Sequence, residues 1–338
     1  MKSSESSPLK RRRHDTEPPP LPVSRHNFKK SEDVWLEDGN VIILCDTIGF
    51  RVHQSILSFH SNVFKDTFST CTPVGDHSYE GCPIVTLYDE AEEMHLFLRT
   101  LYFRRHHDKK YFGLRALRSL LKLSRKYMVD ELYKEITDYL KLIFPSTLAV
   151  YLSERRLESI PQGFNPITGV EIGLEFDILI ILPAALYMSA LLPLDIKLDG
   201  SSTAKPSDRV LRSIFGFEEN LRDIIENIEH DNDWHRTWTC PPRTNLTGEH
   251  RETHDYHASY PGLSSWFLSK ARQWHHSLYD DIFFEDYACF PGVMCRRCIS
   301  SFKRMERDTR ESLWDALPDV GTQNGSSWGT WEQIQSTH

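Results

Sequence analysis

The stretch that most limits what this chain can become is Val41 to Phe68, VIILCDTIGFRVHQSILSFHSNVFKDTF. Val41-Ile42-Ile43-Leu44 is a short apolar run, and Phe50-Arg51-Val52-His53 is a second. Asp46-Thr47-Ile48-Gly49 lies between them, with Gly49 as the residue free to take a tight reversal, so the pair predicts a β-hairpin. Ser55 then leads into Ile56, Leu57, Phe59, Val63, Phe64 and Phe68. Those spacings place one apolar face on a helix, split at Ser61-Asn62. His53 is the one chemically active side chain at the junction. As a lone histidine with no carboxylate or cysteine at ligand spacing, it reads as structural.

The pattern continues in the same economy. Thr70 to Cys82 is rich in turn formers and reads as a loop; Pro83-Ile84-Val85-Thr86-Leu87 is a third strand. Met94, Phe97, Leu98, Leu101 and Tyr102 share a helical face. After the charged loop RRHHDKK, so do Leu114, Leu117, Leu120, Leu121 and Tyr127, and then Leu132, Ile136, Leu140 and Ile143. Pro145 closes that helix. Strands gathered early and helices later predict an α+β fold with a small sheet, and exclude a doubly wound one.

Three motifs in this order resemble the BTB/POZ domain. Phe50-Arg51-Val52-His53-Gln54-Ser55-Ile56-Leu57 with Ser61-x-Val63-Phe64 and Phe68 resembles the family's second strand and the helix after it. LYDEAEEMHLFLRTLY resembles its acidic turn and following helix, and LLKLSRKYMVDELYKEITDYL its closing helix pair. The resemblance implies a domain over residues 28–150, a small, mostly antiparallel sheet flanked by helices. It implies structural roles for Phe50, Val52, His53, Leu57, Phe64, Phe68, Leu101, Tyr102 and Tyr127. EDGNVIIL…FRVHQSIL is most similar to BTB proteins abundant in mushroom-forming fungi, which carry a helical region with a stretch like Leu182-Pro183-Ala184-Ala185-Leu186-Tyr187.

By resemblance, then, the work is protein–protein interaction: a cullin-type ubiquitin-ligase substrate adaptor, or alternatively a transcriptional scaffold. Neither kelch repeats nor zinc fingers are present to choose between them. Cullin binding in this family often uses an apolar-x-acidic loop, which Val74-Gly75-Asp76 matches, although the same residues also read as an ordinary turn. Many BTB dimers exchange an N-terminal helix and strand. Here the residues before Val34 read as a tail and PPPLP would break a helix, which leaves a homodimer open.

Composition sets the outer limits. Of 338 residues, 39% are hydrophobic and 26% charged, which suits a globular protein. The net charge of −8 argues against a broad nucleic-acid footprint while leaving room for a local basic patch. Residues 1–27 are polar and proline-rich, a disordered tail without an apolar leader core. Within it Lys10-Arg11-Arg12-Arg13 has the form of a nuclear import signal or of a plain solvated charge run. FDILIILPAALYM is too short to span a bilayer and is broken by Asp177 and Pro183, so it reads as buried core. Seven cysteines, an odd number, fit reduced thiols in cytoplasm or nucleus. The sequons at Asn245 and Asn324 then read as chance matches.

From 151 to 318 the chain reads as mainly helical, with Ser207-Asp208 capping a helix through Val210, Leu211, Ile214, Phe217, Leu221, Ile224, Ile225 and Ile228. Cys295-x-x-Cys298, with Cys289 and Cys240, has thiols close enough to share a zinc ion, but the second half of a zinc pair is missing. Arginines beside the pair would favour a redox thiol. Plain thiols are the commoner outcome, so a metal- or redox-sensing protein stands as the rival reading. His250, His254 and His257 fall in HRETHDYH, where Glu252 sits one place off the zinc-protease pattern. There is no phosphate loop, dinucleotide fingerprint or nucleophile elbow. Late tryptophans, including Trp314, Trp328 and Trp331, read as core or loop packing. Residues 319–338 read as a flexible tail whose Trp328 and Trp331 could dock. The sequence therefore predicts a non-enzymatic interaction protein with no cofactor.

Overall fold

The computed structural model describes residues 28–70, 78–103, 112–199, 205–231, 296–323 and 326–336. The chain divides into two compact units, Met1–His95 and Leu96–His338.

The first unit is built on a five-stranded sheet in the order β1-β3-β2-β5-β4. Its strands are β1 (Lys29–Trp35), β2 (Val41–Cys45), β3 (Ile48–Val52), β4 (Ser78–Tyr79) and β5 (Cys82–Leu87). The expected hairpin is present, with Val41 opposite Val52 and Cys45 opposite Ile48. Its permissive residue is Asp46, at φ 49°, rather than Gly49. Gly49 lies inside β3 beneath the ring of Phe28, which stands 2.5 Å from where a Cβ would be, so the glycine serves close approach instead of reversal. The sheet is mixed rather than mostly antiparallel: β5 runs parallel to β2, and β1 parallel to β3. A crossover explains the first of these. Helices α1 (Gln54–His60) and α2 (Asn62–Thr70) carry the chain away before β5 joins. Central strands covered in this way read as continuous apolar runs, and Val41, Ile42, Ile43, Phe50 and Val52 are all fully buried.

Strand β1 corrects the reading of residues before Val34 as tail. Only Ser31 and Val34 of KKSEDVW point inward, so this edge strand carries charges where alternation would show apolar residues.

Helix α3 (Ala91–Tyr102) crosses from the first unit into the second. There α4 (Leu114–Lys126) packs on α5 (Asp130–Ile143), the turn between them taken by Met128 at φ 51°. Short helices α6 (Leu148–Tyr151), α7 (Glu154–Ser159) and α8 (Pro166–Phe176) follow, each opened by a side-chain cap from Thr147, Ser153 and Asn165. Asp177 ends α8 in left-handed backbone, and Pro183 sits in the first turn of α9 (Leu182–Ala190). Every residue of α9 is buried, as a helix apolar on all sides requires. Around it pack α8, α11 (Asp208–Asp231) and α12 (Arg296–Val320). Between α9 and α11 lies α10 (Leu194–Asp199). Ser207 Oγ accepts from Val210 N at 3.4 Å, the cap expected for α11. Among the described residues no helix is long and apolar enough to cross a membrane.

The last residues depart from the expected flexible tail. A small hairpin, β6 (Thr322–Gln323) and β7 (Ser326–Ser327), leads into α13 (Trp331–Ser336). Thr330 and Gln333 cap each other's backbone N–H groups, a reciprocal box written in the sequence as Thr-x-x-Gln. Trp331 is buried, stacks on Trp314 at 6.3 Å and donates from Nε1 to Trp314 O at 3.0 Å.

Candidate protein-interaction domain

His53 holds the N-cap position of α1 in extended backbone, and its side chain caps nothing. Asn40 does that work, its Oδ1 accepting from Gln54 N at 2.9 Å. In the same way Asp46 Oδ2 accepts from Ala91 N at 3.0 Å, and Ser61 Oγ from Phe64 N at 3.1 Å. Three helices of the domain thus have their orphan N–H groups met by side chains before or between the strands and helices they join. Half-buried, His53 places Nε2 3.3 Å from Asp38 Oδ2. The carboxylate that local spacing did not show arrives from fifteen residues upstream, through strand pairing. A second such pair, His95 with Asp33, joins α3 to β1, and the His95 ring stacks on Phe50 at 6.2 Å. Both pairs are partly exposed and have modest energies, about 0–1 kcal/mol each.

Phe50, Val52, Leu57, Phe64, Leu101 and Tyr127 are buried. Phe68 stacks on Phe64 at 5.8 Å, while Tyr102 is half-buried beside Phe103. These side chains build a core and leave the surface to others. Phe59 is 82% and Tyr88 98% exposed, the large apolar groups that face water among the described residues of the first unit. The solvent face of α4 carries Arg115, Arg118, Lys122, Arg125 and Lys126.

Several expected sites lie outside the described residues: Val74 and Asp76; Lys10, Arg11, Arg12 and Arg13; Cys240, Cys289 and Cys295; and the histidines of HRETHDYH. Cys298 is in the first turn of α12. Among the described residues, Cys45 and Cys82 are buried cysteines outside any disulfide, and no three His, Cys, Asp or Glu side chains are grouped to hold a metal ion.

Two buried cations escaped sequence reasoning. Arg156, 2% exposed, donates from Nε to Ile143 O at 2.8 Å and from Nη1 to Tyr151 O at 3.0 Å, its guanidinium 4.2 Å from the Tyr151 ring centre. Lys197 donates to Ala190 O and to Glu218 Oε2, both at 2.7 Å. It lines an 860 Å³ groove together with Leu194, Ile196 and Phe215. Arg156 has a signal in the Ser153-x-x-Arg156 turn only once the neighbouring helix ends are known. Lys197 looks solvent-facing in LDIKLD and gave none.

Compared with known proteins, residues 32–143 match the BTB/POZ domain family. A search of curated proteins finds no match to the chain. Domains of the matched family are protein-interaction modules, and the packed motif core with aromatic and basic groups left outside is what such a module needs. Residues 32–143 of this chain are a BTB/POZ domain, and a helical region follows it.

Proposed function

We propose that the chain is a non-enzymatic substrate adaptor of a cullin-type ubiquitin ligase. In this reading the BTB/POZ domain holds the scaffold and the helical region holds a client. The observation that carries it is the shared core of the second unit. Arg156 ties the last residue of α5, inside the BTB match, to α6 and to Met188 of α9. A client bound to the helical region would therefore keep a set position relative to α5, the last helix of the BTB match, which an adaptor requires.

Affinity capture of the full chain from its native cell, read by mass spectrometry, tests this. A cullin scaffold should be retained, and the pair Val74→Arg and Asp76→Arg should release it while other partners stay. Recovery of chromatin proteins with no cullin would overturn the ligase reading and favour a transcriptional scaffold. Lys10-Arg11-Arg12-Arg13 supports that second reading, because an import signal would bring the chain to the nucleus. Changing Arg11, Arg12 and Arg13 to alanine should then shift it to the cytoplasm.

A further inference from the structure

Helix α10 is turned inside out. In its sequence LDIKLD the lysine faces the core and the aliphatic side chains face water. Lys197 is 4% exposed, whereas Leu194 is 59%, Leu198 44% and Ile196 36% exposed. The buried side has a structural reason. The Lys197 ammonium ties α10 to Ala190 O at the end of α9 and to Glu218 on α11, both at 2.7 Å. The outward side has none, because polar residues there would serve the same clamp, as the exposed Asp195 does. On α11, Phe215 is also 36% exposed, and it lines the same 860 Å³ groove as Leu194 and Ile196. A groove of that volume falls within the range of ligand clefts, and grouped apolar side chains at a surface mark a contact site.

Charge and area say what this groove takes. Its lining holds two cations, Lys197 and Arg222, and two carboxylates, Glu218 and Glu219, so it carries no net charge. Glu218 holds both cations, Lys197 through Oε2 at 2.7 Å and Arg222 through Oε1 at 3.0 Å. The cations are thus met within the chain, and what the groove leaves unmet is apolar surface. Leu194, Ile196, Leu198 and Phe215 together offer on the order of 300–400 Å², well short of the roughly 800 Å² that each subunit gives to a stable dimer. That area suits about two or three anchoring side chains of one segment. We infer that the groove between α10 and α11 holds the client through a short segment without net charge, anchored by large apolar side chains. The inference rests on the adaptor reading, in which the helical region takes the client, and it names the chemistry the client must show.

Selection of a displayed library of random short peptides on the purified full chain tests it. The winning peptide is then labelled and its affinity measured by fluorescence anisotropy. Winners should be rich in Leu, Ile, Met, Phe or Trp, carry no net charge and bind saturably. Changing Leu194→Gln and Ile196→Gln together should weaken the winner at least about tenfold. Leu194→Met with Ile196→Val should keep it, as should Phe59→Gln at the exposed aromatic group of the BTB domain. Circular dichroism and a thermal melt check that the glutamine pair still folds. The inference is overturned by the absence of any winner, by winners selected for charge, or by a winner indifferent to the glutamine pair. Binding lost with Phe59→Gln instead overturns it too, as does a dimer of the full chain, seen by sedimentation, that the glutamine pair dissolves. In the capture experiment the glutamine pair should still retain a cullin scaffold. A cullin retained with no groove-dependent peptide sinks this inference alone; a groove-dependent peptide with no cullin sinks the ligase reading alone.

Discussion

The two units bury polarity in different ways. In the first, the buried polar side chains among the described residues are Ser31, Ser61 and Asp89, with no buried lysine or arginine. In the second, Arg156 and Lys197 lie deep inside. Backbone accounting explains the contrast. Strands β2, β3 and β5 consume each other's N–H and C=O groups in the ladder, so the core around them can be almost wholly apolar. A helix that ends inside a core leaves its last carbonyls without partners. Ile143, Tyr151 and Ala190 are the last residues of α5, α6 and α9, and the two cations donate to those carbonyls. A positive group also suits the negative end of each helix dipole. A bundle of short helices thus needs buried donors that a sheet does not.

The hardest test of that contrast is a matched pair of substitutions. Phe50→Ala in the sheet unit should cost about 3–5 kcal/mol through the cavity it leaves. Arg156→Leu, apolar and of fair fit, should cost a similar 3–5 kcal/mol because it strands two buried carbonyls. Denaturant midpoints measure both. An Arg156→Leu loss below about 1 kcal/mol would mean the helix ends find other donors and the contrast is false.

Alkali should also separate the units. Burial raises the Tyr151 and Tyr187 hydroxyls above their ordinary value of 10.0, and Tyr151 raises Tyr187 further, while Arg156 acts the opposite way on Tyr151 and Arg310 on Tyr187. A folded value above the unfolded one means that the stability is complete below pH 10. It is lost as pH rises beyond that, by up to about 1.4 kcal/mol per pH unit for each tyrosine. Tyrosinate absorbance for this pair should appear together with loss of tertiary signal. Titration of all tyrosines in a still-folded chain would sink the idea.

The smallest effects concern two helical glycines. Alanine normally favours a helix over glycine, yet a Cβ at Gly169 of α8 would run into the Phe144 ring. Gly169→Ala should therefore destabilise by about 1–3 kcal/mol. Gly216 of α11 has nothing within 4 Å of such a Cβ, so Gly216→Ala should stabilise by about 0.5–1 kcal/mol. Equal signs in thermal melts would show that propensity, not helix approach, decides in the bundle.

Much of this was legible before the structure. Period-two and helical spacing located β2, β3, β5 and the helices through α5. Ser207 announced α11, and the apolar run FDILIILPAALYM announced buried core. The Thr330-x-x-Gln333 box was also readable, and passing over it turned a docked helix into an expected tail. Other features left no local trace. Strand β1 shows charge because it lies at an edge. Asp46 reverses the hairpin because Gly49 is taken up beneath Phe28. Asp38 finds His53, and Arg156 finds Ile143, only once distant segments have packed.

What the sequence alone determined is therefore the class of fold, the BTB/POZ core and the identity of the residues that fill it, because burial of apolar surface acts through spacing along one element. Only the tertiary structure decided which polar groups meet across elements. Those pairings depend on where strands and helix ends come to lie, and no periodicity within a single segment carries that information.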